Sequence, residues 1–384
     1  MEQGVQCRRI LGYMRERETE IIALIRTLVE IESPTGDKAA VDRMGDAAAT
    51  AAEDIARVTR FAQLEHGDHL RLEFEVPSQA EGQVLGLGHI DTVWAVGTLQ
   101  RMPWRQAGGR LWGPGVFDMK AGVAYLIFAA RALCDLGLAA RRRFVALLNS
   151  DEEVGSPSST PGTRQEAARS AAVLVAEPSA GLAGDLKTAR KGGARFELSV
   201  DGVSAHAGLD FAAGASAIVE LTRQIQVASS WTDLEHGVTV NPGLVHGGTA
   251  SNVVAEHARA EFDVRFATSE QGARLEERFA ALAAVDRRCA VTVSGGVRKP
   301  PLERSPDVVR LFEHAKAISA RMGVELGEAA VGGGSDGNTT AAMGIPTLDG
   351  LGAVGEGAHA LHESILADRI ADRAALIAEL VRTP

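Results

Sequence analysis

The sequence predicts an α/β protein: a mostly parallel sheet with helices on both faces, interrupted by a smaller α+β insert. Three observations carry this. Short apolar strands alternate with helical stretches through the first half, as in a sheet buried on both sides. Past about residue 185 the strands become half polar, and past residue 298 the first pattern returns. The chain has 384 residues, more than one core usually serves, so two domains are expected. The boundaries read as 1–185, 186–298 and 299–384, the outer two forming one domain.

The elements follow in order. Residues 17–31 carry apolar positions at helical spacing, and "SPTGD" (33–37) ends them. "VLGLGHI" (84–90) is a buried strand. "DMKAGVAYLIFAARALCDLG" (118–137) is a helix: Val123, Leu126, Ile127, Ala130 and Leu133 share a face, Asp118 stands at the N-cap and Gly137 closes it. "FVALLNSDEE" (144–153) and "AAVLVAEP" (171–178) are further buried strands with acidic tips, the first preceded by "RRR" as a solvated start.

In the insert, "RFELSV" (195–200) alternates like a half-exposed strand. A helix near 213–229, strands near 237–246 and 257–266, a helix near 269–284 and a strand near 289–294 complete the order β-α-β-β-α-β, the ferredoxin-like split unit. "RKPPLERSP" (298–306) reads as the linker out, followed by a helix near 306–322, a short strand near 324–330 and a closing helix from about 365.

Composition narrows the function. Fifty acidic and 40 basic side chains give a formal charge of −10, which argues against a nucleic-acid surface. No stretch approaches the roughly 20 apolar residues of a membrane span. Cys7, Cys134 and Cys289 are odd in number and far apart, so neither a disulfide framework nor a cysteine metal site follows. The first ten residues lack the apolar run of a signal peptide. The expectation is a cytoplasmic protein with no nucleic-acid or membrane partner.

The strand tips carry the chemistry. His89 and Asp91, then Asp151, Glu152 and Glu153, then Glu177 all follow buried strands, and Asp118 follows the glycine-rich turn "WGPGVFD". In an open parallel sheet, ligands bind beyond the carboxyl ends of the strands. Several carboxylates at one edge repel each other, and cations offset that repulsion. Histidine with carboxylates suits zinc or a similar divalent ion.

"GHIDTVW", "GPGVFDMKAG", "DEEVGS", "AEPS" and "GAHALHE" resemble, in order and spacing, the signature segments of the M20 family of dinuclear zinc hydrolases, most closely its glutamate-carboxypeptidase branch. The resemblance runs from about residue 20 to the end. It implies two zinc ions per subunit, with cobalt or manganese also suited. His89 and Glu177 would hold one ion, Glu153 and His359 the other, and Asp118 would bridge them. Asp91 would accept the proton on the other ring nitrogen of His89. Glu152 would be the general base activating the metal-bridged water, and Asp151 structural. His362 is a second candidate near the C-terminus, but "GAH-x-x-x-E" places the ligand at His359. A cis peptide is expected at Asp118–Met119.

The resemblance extends to the insert. "GVSAHAG" supplies His206, expected to donate to the carbonyl oxygen, in the family from the partner subunit of a homodimer formed through the insert. Asn252 in "GGTASN", Arg265 in "FDVRF" and Arg298 match substrate-binding positions, and "GGGSDGN" places Ser335 against a substrate carboxylate. The implied substrate is a small peptide or N-acyl amino acid, cleaved at an amide beside a free carboxylate; Glu177, where aminopeptidase members tend to have Asp, favours that side. The alternative is an N-acyl-amino-acid deacylase of the acetylornithine deacetylase or succinyl-diaminopimelate desuccinylase type. A silent binding protein is disfavoured because every ligand and the base are present.

Other motifs are weaker. "GLGAVG" (350–355) matches G-x-G-x-x-G but lacks the following helix and strand of a dinucleotide fold. "EHGDH" (65–69) lies in a polar stretch and reads as an exposed loop.

Overall fold

The computed structural model describes Glu2–Pro384 as two compact units. One comprises Met1–Thr188, Arg304–Val331 and Ser335–Pro384; the other comprises Ala189–Glu303 with Gly332–Gly334.

The larger unit is built on a six-stranded sheet ordered Ala56–Phe61, His69–Phe74, Arg143–Asn149, Gln83–His89, Ser170–Val175, Thr347–Leu348. The first two strands form an antiparallel pair that joins Arg143–Asn149 antiparallel; all remaining pairings are parallel. Both faces are buried, which explains the unbroken apolar runs. Val84, Phe144, Ala146, Leu148 and Leu174 face a core shared with the helices Ala121–Asp135 and Ile370–Arg382. Leu85, Leu87, Val145, Leu147, Val173 and Val175 face a second cluster that includes Ala167 of the helix Thr160–Ala167. The alternate glycines of "VLGLGHI" make room for the helix side: a Cβ at Gly86 would lie 2.8 Å from Leu126 Cδ2, and one at Gly88 would lie 3.1 Å from Met119 Cε.

The smaller unit has the expected order: Gly192–Asp201, Ala217–Ser229, Thr239–Gly247, His257–Phe266, Ser269–Ala280, Ala290–Lys299. Its antiparallel sheet runs Thr239–Gly247, His257–Phe266, Gly192–Asp201, Ala290–Lys299. Ser216 caps the first helix, and Thr268 with Gln271 forms a capping box on the second. Phe196 stacks on Phe279 with ring centroids 3.9 Å apart, and Phe262 meets Phe279 edge-on.

Several elements depart from the sequence reading. The helix at "DMKAG" begins at Ala121, not Asp118. Val116–Lys120 form a wide turn in which Asp118 (φ −116°, ψ 96°) and Met119 are non-helical, so Asp118 is not an N-cap. The Asp118–Met119 peptide is cis. Helices at Glu2–Glu16 and Lys38–Ala52 went unassigned. So did a small sheet ordered Gly355–Glu356, Ser364–Leu366, Arg110–Trp112, Arg105–Ala107. "EHGDH" is not wholly exposed: His69 opens a strand, is buried, and its ring contacts Ser150 Oγ at 2.9 Å and Ser158 Oγ at 3.1 Å. Among the described residues, no helix is long and apolar enough to cross a membrane.

Candidate metal centre

The cluster assembles from four places on the larger unit. His89 ends its strand, Glu152 and Glu153 lie in a short turn after Asn149, Glu177 lies two residues past Val175, and Asp118 lies in the wide turn. The small sheet brings in the C-terminal segment: Ser364–Leu366 pairs with Arg110–Trp112, so the chain carrying His359 runs beside the chain leading to Asp118.

Asp118 is central. Its Oδ1 lies 3.1 Å from His89 Nε2 and its Oδ2 lies 3.5 Å from His359 Nε2, so one carboxylate faces two histidines with different oxygens. His89 Nε2 is also 3.6 Å from Glu177 Oε1, and His359 Nε2 is 3.2 Å from Glu153 Oε2. Potential ligand atoms of His89, Glu152 and Glu177 all lie within 4.8 Å of one another, as do those of His89, Asp118 and Glu153. His362 is exposed three residues beyond His359. His359 itself has a φ of 61°, a backbone state rare outside glycine.

The electrostatics call for positive charge. Burial disfavours a charged His89, but Asp118 and Asp91 outweigh it and hold its pKa well above the usual range. Asp118 beside it keeps His359 protonated up to about 9, with Glu153 reinforcing the effect. Burial, with Asp118 and Asp91 nearby, raises Glu153 to about 7. Protons on the histidines thus neutralise the carboxylates, the place a cation takes when metal binds. Glu153 Oε1 is buried without a hydrogen-bond partner. An imidazole-and-carboxylate donor set with one orphaned buried oxygen fits divalent zinc, cobalt or manganese.

The supporting residues differ in detail from expectation. His89 Nδ1 is 2.9 Å from the Asp91 carbonyl oxygen and 3.4 Å from its Oδ1, so the carbonyl is the nearer acceptor. The Asp91 carboxylate accepts from Thr35 Oγ1 at 2.8 Å and from the amides of Glu152 and Glu153 at 3.3 and 3.1 Å. It therefore fixes the turn that carries both glutamates. Asp151 Oδ2 accepts from Ser158 N, Ser158 Oγ and Ser159 N, which pins the same turn from below. Ser335 does not match a substrate contact. It is fully buried, caps the helix Asp336–Ala342, and its Oγ donates to Asp349 Oδ2 at 2.5 Å. Its hydroxyl is committed to folding that loop.

In the smaller unit, His206 is exposed, and its Nδ1 accepts from the amides of Gly208 and Leu209, both at 3.1 Å. A neutral ring then carries its proton on Nε2. Asn252 lies alongside: its carbonyl accepts from Ala207 N at 2.9 Å. Arg265 is not an open clasp, since its Nε and Nη2 donate to Asp263 at 2.8 and 2.9 Å. Arg298 is exposed and sits at the register shift between Val297 and Lys299.

The sequence reading passed over Glu363 as a residue with its own part, although it closes the spacing "GAH-x-x-x-E". It is fully buried and accepts from the backbone of the Asp118 turn. Thr35 was missed altogether; only "SPTGD" as a helix terminator marked it.

Comparison with known proteins places the chain in a family. The family model described as peptidase family M20/M25/M40 matches residues 86–383. The chain is 28% identical over 352 residues to carboxypeptidase G2 of Pseudomonas sp. (strain RS-16), covering 90% of this chain and 84% of that one. It is 30% identical over 304 residues to a succinyl-diaminopimelate desuccinylase of Paraburkholderia xenovorans (strain LB400), covering 72% and 76%. The YXEP protein of Bacillus subtilis, described as a dinuclear metal-binding peptidase of the M20 family, superposes with a TM-score of 0.69 at 16% identity, covering 96% of this chain and 98% of that one. The chain belongs to the M20/M25/M40 peptidase family. It is a metal-dependent hydrolase of amide bonds, of the kind that includes both carboxypeptidases and deacylases.

Proposed function

We propose that this protein binds two zinc ions and cleaves an amide next to a free carboxylate, in the manner of a glutamate carboxypeptidase. The observation that carries the two-ion reading is Asp118, whose two oxygens face His89 and His359 separately. His89 and Glu177 would hold one ion, Glu153 and His359 the other, and Asp118 both. When bound, such a pair polarises the scissile carbonyl and makes water a better nucleophile at neutral pH.

The chain's own residues do the rest. Glu152, close to His89 and Glu177 and held by its amide on Asp91, takes the proton of the attacking water and returns it to the leaving amine. His206, with its proton on Nε2, is suited to donate to the carbonyl oxygen as charge develops there. For the substrate carboxylate, Asn252 and Arg298 remain candidate contacts. Arg265 serves only if it exchanges its exposed Asp263 partner, a pairing that is weak at such a surface.

Carboxypeptidase-type cleavage is favoured over deacylation because the similarity to carboxypeptidase G2 covers 90% of this chain, against 72% for the desuccinylase. Kinetics on a matched panel decide it: N-acyl glutamates and other N-acyl amino acids against succinylated and acetylated diamino acids. Turnover only of the second group would reverse the assignment.

Glu152→Ala should retain both ions and lose most turnover, about a hundredfold or more. Metal analysis of the purified variant checks this, and loss of an ion would show that Glu152 is a ligand and Glu153 the base.

We also propose a homodimer formed through the smaller unit. The edge strand Thr239–Gly247 exposes Leu244 and Val245, and the neighbouring helix exposes Ile218 and Val219. An uncovered apolar edge of this kind favours pairing with a second copy. Three free cysteines support a reducing, cytoplasmic setting.

A further inference from the structure

We propose that Glu363 is a positioning residue for the metal centre, clamping three separate segments so that Asp118 and His359 present their ligand atoms together. This rests on the two-ion reading above. Glu363 is fully buried, yet the hydrogen bonds of its carboxylate run to other segments. Oε2 accepts from Trp94 Nε1 at 2.8 Å and Gly115 N at 3.0 Å. Oε1 accepts from Phe117 N at 2.9 Å and Asp118 N at 3.0 Å. One carboxylate thus fills its four acceptor sites with donors from the chain after His89 and from the Asp118 turn.

The turn needs such a partner. Val116–Lys120 is not a regular helix, so its amides find few intrahelical acceptors, and it is largely buried. Unpaired amides there would be costly. Two of them, those of Phe117 and Asp118, converge on one point with the amide of Gly115 just before the turn and an indole N–H. Only a group with two acceptor oxygens and no donor satisfies all four. The charge does not stand alone: Lys120 is buried close by, feels the Glu363 carboxylate, and donates to Ile31 O at 2.6 Å.

The geometry links ligands that are far apart in sequence. Glu363 holds the amide of Asp118, lies four residues after His359, and grips Trp94, three residues after Asp91. The strand Ser364–Leu366 that follows it is paired to Arg110–Trp112, which sets its depth. Moving Glu363 therefore moves the bridging carboxylate relative to His359.

The test compares wild type, Glu363→Ala, Glu363→Gln, Trp94→Phe and Asp118→Asn as full-length proteins loaded with cobalt. Folding is followed by circular dichroism, cobalt affinity by chelator competition, coordination by the visible cobalt absorption, and kcat and KM separately. In folded Glu363→Ala, cobalt affinity should fall about tenfold or more, with a changed absorption band and a lower kcat at little-changed KM. Glu363→Gln, with one acceptor oxygen, should lie between, and Trp94→Phe, missing one donor, should be milder still. Should Glu363→Ala fail to fold, the graded Gln and Phe variants decide. Lower thermal stability with cobalt affinity and absorption as in wild type would overturn the proposal. Cobalt stoichiometry of the wild type separates the two ideas: fewer than two ions per chain would end the two-ion reading, and Asp118→Asn holding both ions as tightly as wild type would remove Asp118 as their bridge, whatever Glu363 does.

Discussion

His206 shows how much a single ring orientation matters. Two amides fix its Nδ1 as acceptor, so the outward nitrogen is the donor. A donor to a developing oxyanion is worth about a hundredfold to a thousandfold in rate. On the proposed role, His206→Ala should lower kcat by about that factor while metal content stays at the wild-type value, as read by steady-state kinetics beside elemental analysis; an unchanged kcat would remove His206 from the chemistry. Asp91 and Ser335 show the opposite lesson. The resemblance gives each a role in the site, but the Asp91 carboxylate steadies the Glu152–Glu153 turn and the Ser335 hydroxyl caps a helix. A serine in a glycine-rich loop looks the same in sequence whether it caps or contacts a substrate. The ligand-type residues were legible because each ends a strongly apolar strand or sits in a distinctive turn. Glu363 was not, because its partners are backbone amides, which leave no trace in residue types.

At the scale of elements, close packing holds the strand tips in place. Ala176, just before Glu177, is approached from two sides: a Cβ at Gly122 would lie 2.0 Å from its carbonyl oxygen, and one at Gly352 would lie 2.1 Å from it. Gly122→Ala should destabilise the larger unit by about 1–3 kcal/mol, as measured by urea unfolding. The strand Glu328–Val331 is tied differently. Arg304 beside it, with a further bond from Thr188, holds the Glu328 carboxyl down to about 2. A depressed folded pKa gives stability that is present above the ordinary carboxylate range and is lost as pH falls towards about 2. Glu328→Gln should thus lower stability at neutral pH and flatten the acid limb of a thermal-melt series against pH. The long elements were readable because their periodicity extends over many residues. The two- and three-residue strands of the small sheet were not, since no period can be counted in so short a run. Nor was His69, whose ring partners Ser150 and Ser158 lie far along the chain.

At the scale of the molecule, the protein couples a buried-sheet unit that carries the metal-type cluster to a smaller unit with an uncovered edge. The order of layers followed from the change of strand character near residue 185 and its reversal near 298, whereas the pairing partners at the sheet's antiparallel end did not. Binding to the folded state alone stabilises it, so removing metal with a chelator should lower the melting temperature, and zinc should restore it. The exposed edge strand makes its own forecast. If the wild type sediments as the proposed dimer, Leu244→Lys with Val245→Glu should bring it to the monomer without changing metal content; an unchanged dimer would place the interface elsewhere, and a monomeric wild type would end the proposal.

The route of the chain through this architecture has a consequence for biosynthesis. His89, Asp118, Glu153 and Glu177 all precede the smaller unit, whereas His359 and Glu363 follow it. A polypeptide emerging from the ribosome amino end first carries most of its donor groups long before the last ones appear. Until then the nascent chain holds only a half-built pocket, and products of early termination are born without a working hydrolase.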